Sequence, residues 1–216
     1  GIVDDQGVVL SAPNLGWRDV PLQARLADVC GLPVAVANDA NVAAVGELSF
    51  GDGQLDMMLV RIGRGVGSGL LIDGRIVSGA RHSAGEIGHV VTGNDVTEPC
   101  VCGNSGCLEQ WLAIPRIDAH LAEPSADRDA VLTEAGRRLG IVLAPIVSAL
   151  NLTEVVLAGP ASHISGPLLT AAQSTLRDRT LADSHGDMEL RMTELGHDLI
   201  VLGAVVLVLQ GQLGVS

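Results

Sequence analysis

Lysine and tyrosine are absent from this 216-residue chain, and its aromatic side chains are limited to Trp17, Phe50 and Trp111. Without lysine there is no GxxxxGKS/T loop, because that loop needs an ammonium to reach the terminal phosphates. With so few flat rings, platforms on which bases or sugars stack are scarce, and the core has to be built from Val, Leu, Ile and Ala. All 13 basic residues are arginine and stand against 25 acids, giving a formal net charge of −12. Such a surface repels phosphate backbones, so this segment by itself is a poor DNA binder. No apolar run reaches the roughly 20 residues that span a bilayer. The longest, residues 199–209, is interrupted by Gly203 and reads as a buried helix. A basic start followed by an apolar stretch is also missing, which argues against a secretory signal and places the protein in the cytoplasm with no membrane partner.

What the chain has is enough apolar material, 47% of its residues, for a sizeable core in one domain or two small lobes. Residues 2–3 and 8–10 flank a hairpin turn at 4–7, and Asp19 can cap a helix that runs to about Cys30 and stops at Gly31 and Pro33. Residues 34–37 read as a short apolar strand, followed by a helix over 40–48. Strands are expected at 57–62 and 66–72, with a tight Asp73-Gly74 turn before another at 75–77. The second half is mostly helical, at 130–150 with Gly140 and Pro145 as weak points, and at 167–177. Strands at 155–158 and 190–192 interrupt it, an apolar helix closes it at 198–214, and residues 121–129 are the most loop-like. Strands alternating with helices predict an α/β layer structure with a buried sheet.

Three of the four cysteines, Cys100, Cys102 and Cys107, stand close together downstream of His89. Clustered cysteine without a secretory signal points to a metal in a reducing compartment rather than to disulfides. Three thiolates and one imidazole complete a tetrahedral zinc site with no open position, so the ion is expected to be structural. The loss of pattern over 92–99 suits a metal loop, and Glu86 and Glu109 bracket it. Cys30 reads as a small core hydrophobe. His82, His120, His163, His185 and His197 show no ligand spacing.

Three further constellations could carry chemistry. Asn38-Asp39-Ala40-Asn41 lies at a strand exit and helix entry, where open α/β sheets place their ligands. Asp39 there can accept hydrogen bonds from a polyol or take a hydroxyl proton as general base, although Asn and Asp are also preferred helix caps. The glycines of 63–69 can turn backbone amides toward a phosphate or can link two strands. A strand rather than a helix follows them, so this is no Rossmann fingerprint. Gly159, in Leu157-Ala158-Gly159-Pro160, either sits beneath a nucleotide or simply ends a buried strand.

Together LPVAVANDAN, RIGRGVGSGLLIDGRIVSGARHSAGEIGHV, CVCGNSGCLEQW and LIVLGAVVL resemble, over nearly the whole chain, the ROK family of bacterial repressors, sugar kinases and open reading frames. The resemblance implies an actin-like, ribonuclease-H-like ATPase fold of two α/β lobes with the sugar between them. Residues 1–33 would then be a remnant of the N-terminal lobe and its connection, and 34–216 the C-terminal lobe with a zinc loop at 89–107. It implies that Asn38 binds a sugar hydroxyl, that Asp39 is the catalytic base where a member is a kinase, and that Glu86 and Glu109 contact the sugar. His89 would bind zinc and touch the sugar through its other nitrogen, with Cys100, Cys102 and Cys107 as the remaining ligands. Gly63, Gly65 and Gly159 would be the nucleotide-binding positions. Homo-oligomers are common in the family.

Two departures bear on function. No DxGxT-like phosphate loop precedes Asp39, as expected for a fragment of a longer protein or for a chain that lost that lobe. Arg64 stands where the kinases carry a small hydroxyl residue in a GTG-like element, which disfavours γ-phosphate binding unless the guanidinium itself pairs with phosphate. Three readings follow. The first is the sugar-sensing effector domain of a transcriptional regulator whose helix-turn-helix lies upstream and reads DNA. The second is part of an ATP- and magnesium-dependent sugar kinase of glucokinase type, and the third a zinc-stapled interaction or oligomerisation module.

Overall fold

The strand Met57–Ile62 sets the architecture. Its side chains alternate across a pleat, yet all but Arg61 are apolar, because both faces are covered. Met58, Val60 and Ile62 enter one buried cluster, Met57 and Leu59 another. In the computed structural model, which describes residues 1–93, 95, 98–181 and 188–213, this strand (β4) is the centre of a five-stranded sheet. Its partners are β5 (Val66–Ile72), β6 (Arg75–Ile76), β7 (Glu154–Ala158) and β8 (Glu189–Met192), in the order β6-β5-β4-β7-β8. β5 runs antiparallel to β4 and β6, whereas β7 runs parallel to β4 and β8.

Helices α2 (Asp39–Phe50) and α8 (Leu199–Leu213) cover one face, and α5 (Arg128–Leu150) and α7 (Pro167–Arg179) cover the other. The short helices α3 (Glu109–Leu112) and α4 (Ile114–Leu121) extend that second layer through Leu112 and Ile117. α2 and α8 cross at Gly203, where any Cβ would run into the carbonyl oxygen of Val42. The glycine that interrupts the longest apolar run is therefore a crossing point. No described helix is long and apolar enough to cross a membrane.

A second, three-stranded antiparallel sheet is formed by β1 (Ile2–Val3), β2 (Val9–Ala12) and β3 (Trp17–Val20). β3 corrects the sequence reading, because Asp19 lies inside it rather than capping a helix. Helix α1 (Leu22–Cys30) starts after Pro21 with no side-chain cap and buries none of its residues fully. Cys30 is accordingly exposed, not a core hydrophobe. Residues 34–37 form no strand. Val36 donates its N–H to Gln23 Oε1, a side chain standing where a neighbouring strand would be.

α5 begins earlier than expected because Asp127 caps it, accepting from the N–H groups of Asp129 and Ala130. It runs through Gly140 and Pro145 without a break, and Gly140 lets α7 approach, a Cβ there lying 2.8 Å from the carbonyl oxygen of Ala172. The expected position His185 and the last residue of the expected 198–214 helix fall outside the described residues.

The two layers are tied by a buried ionic cluster. Arg191 on β8 donates through Nε to Glu154 Oε1 on β7 at 2.8 Å, and its Nη1 lies 2.8 Å from Glu47 Oε1 on α2. Glu47 Oε2 accepts from Thr193 Oγ1 at 2.6 Å, and Glu154 Oε2 from the N–H of Gln54 at 2.9 Å. Burial pulls the Arg191 guanidinium down, but the two carboxylates outweigh it and hold its pKa above the ordinary arginine value.

Candidate functional site

The start of α2 lies beside the carboxyl end of β4. Asn38 caps the helix, its Oδ1 accepting from the N–H groups of Ala40 (2.9 Å) and Asn41 (3.2 Å), while its Nδ2 donates to the carbonyl of Gly1 at 2.8 Å. Both ends of that amide are engaged. Asp39 follows, its Oδ1 accepting from Ala40 N at 3.1 Å and its Oδ2 from Arg61 Nη1 at 2.8 Å. Arg61 is a site residue that the motifs did not reveal. The only signal for it in the sequence is a charge inside an otherwise apolar strand.

Glu86 and His89 belong to a turn that lies on β5. Gly85 adopts φ +89°, and a Cβ there would collide with the carbonyl oxygen of Ser68. The Ser68 N–H (3.1 Å) and Oγ (2.8 Å) both donate to the Gly85 carbonyl, which pins the turn and presents Glu86 and His89. Glu109 opens α3, and its Oε2 accepts from the N–H of Val66 at 2.9 Å. A Cβ on Gly65 would sit 2.6 Å from that same oxygen. Gly65 thus makes room for a carboxylate.

These elements enclose an open cleft of about 640 Å³. Asn38, Asp39, Glu86, His89 and Glu109 all line it, together with Arg61, Arg64 and Gly65. Gly63 and Gly159 do not. The Gly63 N–H donates to the Gly65 carbonyl and its own carbonyl accepts from Ile114, while Gly159 packs against the carbonyl of Ile62.

Beside the cleft the ligating atoms of His89, Cys100, Cys102 and Cys107 all lie within 4.8 Å of one another. Cys100 Sγ is 3.5 Å from His89 Nδ1, and Cys102 Sγ is 3.6 Å from Cys107 Sγ. Bonds of about 2.3 Å to sulfur in a tetrahedron give edges of about 3.8 Å, so the four donors fit one zinc-sized ion. The other imidazole nitrogen, Nε2, points the opposite way and lies 3.8 Å from Glu86 Oε2.

Burial pushes the Cys107 thiol up to about 12 and raises Cys100 as well. At Cys102, burial is outweighed by the N–H of Asn104 and the Cys107 thiol, which lower it. A cation among the three would reverse these costs, since coordinated thiols lose their protons.

Gln110, another residue outside the motif reading, organises this loop. Its Oε1 accepts from the N–H groups of Gly106 (2.8 Å) and Cys107 (3.2 Å), and its Nε2 donates to the carbonyl of Glu98. The loop is also fastened to α5. Arg138 stacks 4.1 Å over the Trp111 ring and bonds Thr92 Oγ1 at 3.3 Å and Asp95 Oδ2 at 2.5 Å. That guanidinium holds the Asp95 carboxyl below its ordinary range.

The close pairing of Gly65 with Glu109 predicts a separation of binding from stability. In Gly65→Ala the flexible carboxylate gives way before the backbone does, so the melting temperature stays within about 2 °C. Ligand affinity in the cleft falls about tenfold, the scale of one charge-assisted hydrogen bond. Thermal melts beside calorimetric titrations check both halves.

Comparison with known proteins fits this arrangement. The model of the ROK family matches residues 1–211. The chain is 33% identical to a glucokinase of Halalkalibacterium halodurans, over 95% of this chain and 72% of the relative. It is 29% identical to the xylose repressor of Caldicellulosiruptor bescii, over 99% of this chain and 61% of the relative. Among solved structures, a ROK family transcriptional regulator described as a homolog of the Escherichia coli MLC protein superposes with a TM-score of 0.81 at 25% identity, covering 95% of this chain and 59% of that one. A ROK family glucokinase from Streptomyces griseus, in complex with glucose and AMPPNP, gives 0.79 at 28% identity, covering 96% and 78%. The chain thus spans between 59% and 78% of the length of these four relatives.

Proposed function

The chain belongs to the ROK family, and from that premise we propose that it is the sugar-sensing effector domain of a ROK-type transcriptional regulator. The observation that carries this is the convergence of Asp39, Glu86, His89 and Glu109 on one cleft next to a four-donor metal set. Carboxylates and an imidazole fixed around one space suit the hydroxyls of a polyol, which offer both donors and acceptors. In this reading Asn38 contributes through its place at the head of α2, and residues 34–216 form the C-terminal lobe of an actin-like fold, with residues 1–33 belonging to the other lobe and the connection. Zinc held by His89, Cys100, Cys102 and Cys107 is structural. It fixes the imidazole through Nδ1, leaving Nε2 for the ligand and for Glu86, so that the metal orders the binding side chains rather than reacting. The protein acts in the cytoplasm as a homo-oligomer. With a net charge of −12 over these 216 residues, DNA contact falls to a helix-turn-helix outside this sequence, and sugar binding alters its affinity by shifting the balance between two conformations.

Arg64, standing where the kinases of the family carry a small hydroxyl residue, favours sensing over catalysis. The 33% identity to a glucokinase over 72% of that enzyme supports the second reading, an ATP- and magnesium-dependent kinase with Asp39 as base. Coupled ADP release with the full-length protein separates the two; sustained turnover would establish the kinase.

Calorimetric titration with a panel of hexoses, pentoses, amino sugars and their phosphates tests the sensor itself. One or more is expected to bind, and Glu86→Gln to weaken that binding at least about tenfold, the loss of an ionised acceptor. Silence across the panel would favour the interaction module.

A further inference from the structure

The three carboxylates of the cleft, Asp39, Glu86 and Glu109, face an equal number of guanidiniums. In a chain of net charge −12, three of the 13 arginines, Arg18, Arg61 and Arg64, line this one cavity. The side chains of Arg18 and Arg64 have no hydrogen-bond or ion-pair partner among the described residues. Arg61 has one, Asp39, at 2.8 Å, but both side chains remain substantially exposed, at 36% and 49%. Its guanidinium also rests against the glycine loop, within 3.8 Å of where a Cβ of Gly63 would stand. Guanidiniums that no carboxylate of the cleft engages leave their donors open to an incoming anion. The planar fork of arginine matches the oxygens of phosphate or carboxylate in a bidentate way. A neutral sugar offers Arg61 and Arg64 only hydroxyl acceptors, whereas an anion adds charge assistance and a bidentate fit.

We propose that the ligand of this cleft is an anionic sugar, its phosphate or carboxylate held by Arg61 and Arg64 while its hydroxyls meet Glu86, His89 and Glu109. Arg61 is the residue that couples the two ends. Turning toward the ligand anion releases Asp39 Oδ2 to accept a sugar hydroxyl, so the Arg61–Asp39 pair is the resting state of the pocket and ligand exchanges one ion pair for another. Arg18, on β3 at the rim, adds to the positive field that draws the anion in. This inference rests on the reading of the cleft as a sugar site and narrows it to a charged class of ligand.

The test is calorimetric titration of the protein with matched sets of probes. Each set contains a neutral sugar, its phosphate and its uronic acid, with glucose, glucose 6-phosphate and glucuronate as one set and xylose and N-acetylglucosamine with their phosphates as others; inorganic phosphate is titrated alone. One anionic member is expected to bind at least about 30-fold more tightly than its neutral parent, the scale of a bidentate charge-assisted contact. Whether that member is the phosphate or the uronate identifies the anion. Arg61→Gln and Arg64→Gln should each shrink the gap to about threefold or less, chiefly by weakening the anionic member, and raising the salt concentration should shrink it in the native protein. Neutral sugars binding as tightly as their anionic counterparts would overturn the anionic class while leaving the sugar site standing. Inorganic phosphate binding as tightly as the best sugar phosphate would overturn the joint reading of sugar and anion. Absence of binding by every probe would overturn the sugar site and this inference together.

Discussion

Replacing Cys107 with serine is expected to strip the bound metal and to lower the melting temperature by about 10 °C or more, which for a chain of this size corresponds to about 3–4 kcal/mol. The size of the effect follows from where Cys107 sits. It is fully buried, its Sγ lies 3.6 Å from that of Cys102, and its backbone pairs with Val91 in an isolated antiparallel bridge. The loop carrying it has little apolar matter of its own and is held by Gln110, by Arg138 and, in our reading, by the ion. A serine hydroxyl is shorter than a thiol and a poor ligand for zinc, and the energy of binding a structural metal is folding energy. Because the thiols must give up protons to bind, metal affinity should weaken as pH falls. Thermal melts of native and variant protein, with and without a chelator, together with elemental analysis, check this. An unchanged melt and no metal in the native protein would remove zinc from the picture.

The second large effect lies away from the cleft. Arg191→Leu is expected to cost about 3–5 kcal/mol, because it leaves two buried carboxylates facing each other without their cation. That translates to about 10–15 °C in melting temperature. Glu47 and Glu154 are almost wholly buried, and the guanidinium between them joins α2, β7 and β8. Thermal melts of the variant beside native protein check this. A variant melting within about 2 °C of native protein would show that the cluster is not the tie between layers.

The elements legible in the sequence are those whose pattern is local. β4 and β5 announce themselves as apolar runs because both sheet faces are buried, and the metal donors by cysteine and histidine spacing. What failed depended on partners. Residues 34–37 have the composition of a strand, yet a strand exists only against an edge, and Gln23 occupies that position for Val36. Asp19 has the chemistry of a cap, but pairing between β2 and β3 claims its segment first. Cys30 looks like a core residue by type and is exposed, since no described element covers that face of α1. Within the cleft, Asp39, Glu86, His89 and Glu109 stood out by motif. Arg61 did not, because its role comes from the distance to Asp39 across the start of α2, a contact 22 positions apart in the chain. Gly65 reads in the sequence as a phosphate-loop glycine, whereas its neighbour in space is the carboxylate of Glu109.

In our reading the metal loop and the sugar cleft are one device, with His89 facing the donors through Nδ1 and Glu86 through Nε2. This claim is tested most directly by titrating the best ligand of the sugar panel into two samples of the same protein, one zinc-loaded and one stripped by chelator but still folded by circular dichroism. Loaded protein should bind, and stripping should weaken binding at least about 30-fold, the scale on which losing the support around a metal-held ligand is felt. Equal affinity in the two samples would contradict the claim and leave the metal as a staple with no part in recognition.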